Sequence, residues 1–449
     1  MADKTVPTAQ RFPPQIKFII GNEAAERYSF YGMKAILTLF MTNYLFFEKD
    51  WAQSVYHLFV MAVYFTALLG AFLSDRYWGK YRTIMTLSFV YIAGHAVLAV
   101  WEDEIGLYVG LLLIALGAGG IKPCVSAHVG DQFTKSSSHL IAKIFNIFYF
   151  SINVGSFFAT LATPYTRKWF GPQVAFAIPG VLMAIATFIF WLGHKYYINV
   201  PPTGPRDDTP GRVLWSIFRN GSTKTAARFS EIKLDEARAV LSVGMLLIPV
   251  IMFWALFDQT GSSWVLLTVN LNLHGMIEPD SLQAANPLLV MGAIPLFVWG
   301  VYPGLEKLGI RITPLRKIGA GLFLTGVSFV PVAVLSYLVE SGSKPSALWM
   351  ILPYALLTAA EVLVSITGIE FAYTQAPRSA KSTVMSLWFL TIALGNFMVA
   401  VVTPLNPFKG GAAFLFWAAL TTVVAFSFIG LAKRYQMRSY IEGDDAPHH

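Results

Sequence analysis

Apolar stretches of about 20 to 30 residues recur along the chain, centred near residues 30, 63, 91, 116, 152, 184, 252, 292, 326, 360, 391 and 422. Each is long enough to cross a bilayer as a tilted helix, and the turns between most of them are short and polar. The alternation breaks once, at Pro201-Pro-Thr-Gly-Pro205-Arg-Asp-Asp-Thr-Pro210 and the basic stretch that follows to about Arg238. This pattern predicts an all-α polytopic membrane protein of twelve transmembrane helices in two six-helix bundles. The expected boundaries are 1–199 for the first bundle, 200–235 for a cytoplasmic linker and 236–449 for the second bundle and tail. The linker is expected to carry one amphipathic surface helix around Arg212 to Asn220.

Span 1 breaks the apolar rule in an ordered way. Glu23, Glu26, Arg27 and Lys34 lie inside the segment from Ile16 to Phe47, where each ionised group near a bilayer centre costs roughly 2.5 to 3.5 kcal/mol on the mild insertion scale. Helical offsets put Glu23, Glu26, Arg27, Tyr31 and Lys34 on one stripe. That stripe is expected to face a polar cavity rather than lipid.

Composition supports the membrane class: 55% of the residues are hydrophobic and 13% charged, with a mean hydropathy of +0.56. The net charge of +8 raises the question of nucleic acid, and its distribution answers it. With both termini cytoplasmic, 25 of the 33 Lys and Arg residues fall on the cytoplasmic side, 5 outside and 3 within spans. The bias reports orientation, so no nucleic-acid partner is expected. The start through Gln15 lacks the short apolar core of a cleavable signal peptide. Cys124 is the single cysteine, so no intramolecular disulfide is expected. Asn220-Gly-Ser222 matches a glycosylation acceptor but falls in the linker and is read as a chance match.

Inside the spans the acids are Glu23, Glu26, Asp258 and Glu361, against Arg27, Lys34 and Lys122, with His57 near the outer end of span 2. One negative charge is left over, so a carboxyl group or the imidazole can hold a proton in low dielectric. Lys122 sits among helix breakers in Gly117-Ala-Gly119-Gly120-Ile-Lys122-Pro123. The glycines alone fit close helix packing, whereas the ammonium needs a carboxylate or a bound anion. His95 matches no functional pattern and is read as a packing residue.

Taken in order, Glu23-x-x-Glu26-Arg27, Gly70 to Arg82, Gly119-Gly-Ile-Lys122-Pro123, Phe148 to Ser156, Phe253-Trp254 to Gln259, Asn286-Pro287, Ala360-Glu361 and Ser386 to Phe389 carry a family resemblance. Over essentially its whole length the chain resembles the proton-coupled oligopeptide transporters of the major facilitator superfamily. A loose echo of the span 2 loop after span 8, in Glu306-Lys307-Leu-Gly309-Ile-Arg311, agrees with duplicated halves. Phe30 stands where the family usually has a tyrosine, so a hydroxyl often near the substrate is missing. The short linker and the short Ser341 to Ser346 connection make the chain similar to compact bacterial members.

The resemblance implies a proton-coupled symporter that imports di- and tripeptides by alternating access, not an enzyme, and with no cofactor beyond the proton gradient. It places the chain in a bacterial inner membrane, surrounded by lipid and monomeric. By the same analogy Glu23, Glu26, Arg27, His57 and Asp258 couple the proton. Arg27 and Lys122 receive the substrate carboxylate and Glu361 its ammonium, with Asn153 and Asn286 assisting and Tyr31, Tyr64, Trp254 and Trp388 as walls. Taken singly, Asn153 also fits an interhelical hydrogen bond, Asn286-Pro287 a helix-start kink, and His57 an interfacial histidine. Lys34 with Asp258 forms the expected outer gate, and Lys122 with Glu361 the inner one.

One proton descending 100 mV releases about 2.3 kcal/mol, enough for roughly fifty-fold accumulation of a neutral zwitterion at 1.36 kcal/mol per tenfold. An alternative cargo is another small solute: nitrate, an amino acid or a peptide-like drug. Glu361 favours the zwitterion, because a nitrate site gains nothing from a carboxylate. An intramembrane hydrolase is disfavoured, since the eight histidines show no His-Glu-x-x-His spacing.

Overall fold

A computed structural model describes residues 12–134, 137, 140–202, 204, 212–213, 215–216, 218–219, 229–275, 277–377 and 380–437. The possible glycosylation acceptor and most of the linker lie outside these residues. The described linker positions from 212 to 219 are helical, as expected, with Val213 buried and Trp215 and Phe218 exposed.

The first half comprises α1 (Ile16–Asn43), α2 (Lys49–Leu73), α3 (Lys80–Val100), α4 (Glu104–Asp131), α5 (residues 141–170) and α6 (residues 172–192). α5 and α6 are continuous in hydrogen bonding and separate at Gly171, whose φ of 82° is open to glycine and strained for other residues. Pro172 follows it. The second half is built of more broken helices. α7 runs through Glu231–Leu247, Val250–Phe257, a 3-10 turn at Asp258–Gly261 and Ser263–Thr268. α8 combines Pro279–Ala284, Ala285–Leu296, a π turn at Phe297–Val301 and Tyr302–Lys307. α9 is Pro314–Glu340; α10 joins Ala347–Met350, Ile351–Glu361, a π turn at Val362–Ile366 and Thr367–Thr374; α11 is Lys381–Leu405 and α12 Gly410–Arg434.

Among the described residues, ten continuous helices are long and apolar enough to cross a membrane. The longest of them is the α5–α6 pair, and α1 falls outside that set because Glu23, Glu26, Arg27 and Lys34 interrupt its apolar run. The twelve expected spans are therefore all present. α2 ends in a π turn, Ser74–Trp78, and α8 carries its own at Phe297–Val301.

Helix starts follow local chemistry. Asp103 accepts a hydrogen bond from Gly106 N at 2.8 Å, and Thr313 accepts from Arg316 N ahead of Pro314 at the first helical position. The Gly106 amide holds the exposed Asp103 carboxyl below its usual range.

Packing divides the chain into two units, Met1–Gly204 with Thr260–Met291, and Pro205–Gln259 with Gly292–His449. In the first unit Phe40 meets Phe176 edge to face at 5.0 Å, and Ser29 Oγ donates to Pro179 O at 2.7 Å, fixing α1 against α6. Gly70 faces the Gly120 backbone and Gly119 faces Val63 O, so a side chain at these sites would force α2 and α4 apart. Thr66 Oγ1 donates to Ala115 O in the same contact, at 2.6 Å. The span 4 glycines thus serve close packing, as small residues do between membrane helices. In the second unit Gly395 sits against Ile251 O and Ala255 N, bringing α11 onto α7, and Trp254 meets Trp388 edge to face at 6.1 Å.

Candidate functional site

The charged stripe of α1 folds onto α4. Arg27 Nε donates to Glu23 Oε1 at 2.6 Å and lies 3.1 Å from Glu26 Oε2. Lys122 Nζ stands 3.9 Å from Glu26 Oε1 and 3.9 Å from the centroid of the Phe30 ring. Both glutamates are 1% exposed and Lys122 is 8% exposed. Two acids and two bases therefore share one buried site, and they are not equally bound. Arg27 is clamped between two carboxylates. Lys122 has no hydrogen-bond partner within the standard distance among the described residues, and its charge rests on an aromatic face.

This arrangement can exchange charges. A buried ammonium near but not bonded to a carboxylate gains from any anion that reaches it. Proton uptake by Glu26 would remove its nearest negative charge and leave Lys122 for another. Phe30 holds the ammonium through its ring, an interaction that strengthens on desolvation. Tyr31 meets Phe30 edge to face at 5.5 Å, and Tyr31 and Tyr64 are both half-buried. Asn153 is buried, and its amide donates to Tyr149 O in its own helix at 2.9 Å; the structure gives it no interhelical bond among the described contacts.

Further out, the first unit contains a dense set of polar contacts made by residues 260–291. His57 Nε2 lies 2.8 Å from Ser262 Oγ, Thr38 Oγ1 donates to Gly261 O at 2.7 Å, and Gln283 Nε2 donates to Ala35 O at 3.1 Å. Arg167 Nη2 reaches Asp280 Oδ2 at 3.1 Å and Glu278 Oε2 at 3.9 Å, while Lys168 Nζ donates to Glu278 at 2.6 Å. Asp280 is fully buried and Arg167 7% exposed. Lys34 Nζ lies over the Tyr56 ring, 5.6 Å from its centroid. Ser262 and the Arg167–Asp280 pair were not among the expected site residues. The signal was available in the opposite charges of Arg167-Lys168 near the end of α5 and Glu278-Pro279-Asp280 at the start of α8.

In the second unit Asp258 Oδ2 accepts from Asn396 Nδ2 at 2.8 Å, and Asn396 also donates to Ile392 O at 3.0 Å. Asp258 opens the 3-10 turn of α7. Glu361 is half-buried and is the last residue before the π turn of α10, a deviation frequent at functional sites. Trp254 and Trp388 are buried near each other. Asn286 is the second residue of the α-helical part of α8, Ala285–Leu296.

The PTR2 model, described as the POT family, matches residues 81–407. Solute carrier family 15 member 2 of Danio rerio is 39% identical over 367 residues, covering 74% of this chain and 51% of that protein. The Homo sapiens protein of the same name is 36% identical over 393 residues, covering 80% and 54%. The chain spans about half the length of these curated relatives. A crystal structure of an auto-inhibited POT family peptide transporter superposes with a TM-score of 0.90 at 37% identity, covering 97% of this chain and 99% of that one. The POT family transporter PepTSo, crystallised in meso, gives 0.89 at 39% identity, covering 95% and 99%.

Proposed function

The chain belongs to the POT family, and we propose that it is a proton-coupled symporter importing di- and tripeptides by alternating access. The observation that carries this reading is the position of Lys122, buried, 3.9 Å from Glu26 and without a hydrogen bond among the described residues. It is a cation kept available for an anion, and a peptide carboxylate supplies one. Protonation of Glu26 or Glu23 offsets the extra negative charge, so peptide and proton enter together. This is linkage of two ligands through one charge balance.

Arg27 shares the carboxylate, Glu361 takes the ammonium, and Asn153, Asn286, Tyr31, Tyr64, Trp254 and Trp388 complete the pocket. The functional halves are residues 1–199 and 236–449, joined by 200–235. His57, Ser262 and the Arg167–Asp280 pair belong to the outer closure, with Lys34 and Asp258 as gate charges and Lys122 with Glu361 as the inner gate. The protein works as a monomer in a bacterial inner membrane with both termini in the cytoplasm.

Uptake of labelled dialanine into liposomes under an imposed pH gradient tests the proposal. Accumulation abolished by a protonophore is the expected result, and accumulation indifferent to the protonophore rejects proton coupling. The ammonium assignment is tested with Glu361→Gln, which should weaken free dipeptides strongly and amino-blocked dipeptides little. Equal losses for both would remove Glu361 from that role.

A further inference from the structure

A cavity lies in the second unit, at the end that carries the basic linker. Its volume is about 430 Å³, and it opens between the start of α7, the end of α12 and the turn after α10. Arg238 and Arg434 line it together with Met245, Leu246 and Leu431, of which Leu246 is buried and Met245 and Leu431 are exposed. Tyr435 Oη donates to the buried Gln375 at 3.1 Å, which ties the chain leaving α12 to the turn after α10.

The two walls change character in the same direction. Arg238 precedes Met245 by seven residues on α7, a rise of about 10 Å, and Leu431 lies one turn inside Arg434 on α12. Cationic groups therefore sit at the interface end and hydrocarbon at the membrane end of one slot. The ordinary role of Arg434 and Lys433 in the last turn of α12 is to complement the negative end of that helix. That role does not account for Arg238, which lies in the N-terminal half of Glu231–Leu247. Arg238 Nη1 contacts Asp235 Oδ1 at 3.3 Å, with side chains 68% and 64% exposed, a geometry that binds weakly and leaves other guanidinium donors for a ligand.

We propose that this slot binds an anionic glycerophospholipid, its phosphate on Arg238 and Arg434 and the first carbons of an acyl chain against Met245, Leu246 and Leu431. Basic pockets between membrane helices on the positively charged side take such headgroups. The apolar lining selects a lipid over free phosphate, because each methylene buried against it adds about fourfold in affinity. The bound lipid links the start of α7, just after the linker, to the end of α12.

Native mass spectrometry of the full chain, titrated with phosphatidylglycerol or phosphatidylcholine in detergent, tests the site. The wild type should retain one phosphatidylglycerol in preference to phosphatidylcholine. Arg238→Gln with Arg434→Gln should weaken that binding by about 30-fold, since each basic group facing an anionic headgroup is worth about fivefold. The substituted side chains are exposed, and an unchanged unfolding temperature checks that the fold is intact. Unchanged affinity in the double variant overturns the proposal, as does equal retention of the two lipids. Full displacement by inorganic phosphate at tens of millimolar assigns the site to a free anion and overturns the lipid. Binding that appears only after Glu442, Asp444 and Asp445 are neutralised gives the slot to the chain's own acidic segment and likewise overturns it.

Discussion

His57 Nε2 and Ser262 Oγ lie 2.8 Å apart, and both residues are 0% exposed. A neutral imidazole can accept the serine proton at that nitrogen or donate its own. An imidazolium can only donate. Protonation therefore fixes the direction of this bond and places a charge in a site closed to solvent, where charge is most costly. Under the proposed function this is the contact expected to respond to the proton.

His57→Gln should keep a hydrogen bond to Ser262 and lose the pH dependence of uptake between about pH 5 and 8, the range in which imidazole titrates. Ser262→Ala should keep the pH dependence and alter the maximal rate. Uptake measured across that range in both variants checks this. A His57→Gln profile as steep as that of the wild type would place the proton elsewhere.

Arg167 and Asp280 make a second contact in the same region, at 3.1 Å. Removing one member leaves the other charged and buried, a loss of about 3 to 5 kcal/mol, whereas removing both leaves no orphan charge. Arg167→Gln and Asp280→Asn should each lower the unfolding temperature and slow uptake. The double variant should recover part of both, with a coupling energy of about 1 to 3 kcal/mol. Strictly additive losses would show that the two side chains act independently.

Much of this architecture was readable before any coordinates, for a physical reason. A span in lipid must satisfy its own backbone and present apolar side chains for about 20 residues, so spans announce themselves. Charges that violate the rule do too, which is why Glu23, Glu26, Arg27 and Lys122 were found and why the structure gathers them. Contacts that depend on relative helix register were not readable in this way. Nothing in the sequence says that the Phe30 ring lies on Lys122, or that Ser262 rather than a neighbouring hydroxyl faces His57. The π turns at Ser74–Trp78 and Val362–Ile366 also escaped, because one extra residue in a helical turn leaves no compositional mark.

The two glutamates of α1 offer a separation of coupling from binding. Glu23 is hydrogen-bonded to Arg27, while Glu26 lies between Arg27 and Lys122. Glu23→Gln or Glu26→Gln should abolish proton-driven accumulation, because the proton then has one carboxylate fewer to bind. Each can leave counterflow, the exchange of labelled for unlabelled peptide with no net proton movement. Accumulation at the wild-type level in both variants would remove the pair from proton coupling.

Phe30 supplies the last test, because its ring centroid lies 3.9 Å from Lys122 Nζ and the residue is 1% exposed. A desolvated cation on an aromatic face gains about 2 kcal/mol, and under the proposed function the peptide carboxylate binds the same ammonium. Phe30→Leu keeps an apolar side chain of comparable bulk and removes the ring. It should weaken dipeptide binding by about tenfold, somewhat less than the full interaction because leucine still excludes water. Phe30→Tyr keeps the ring face and should stay within about twofold of the wild type in affinity. The comparison that isolates the contact is the same leucine substitution in a Lys122→Gln background, measured as dipeptide affinity by calorimetry. There the ring has no cation to hold, and Phe30→Leu should cost little more. An equal loss with and without Lys122 would mean that Phe30 acts through packing alone, and the ammonium would need another explanation for its place.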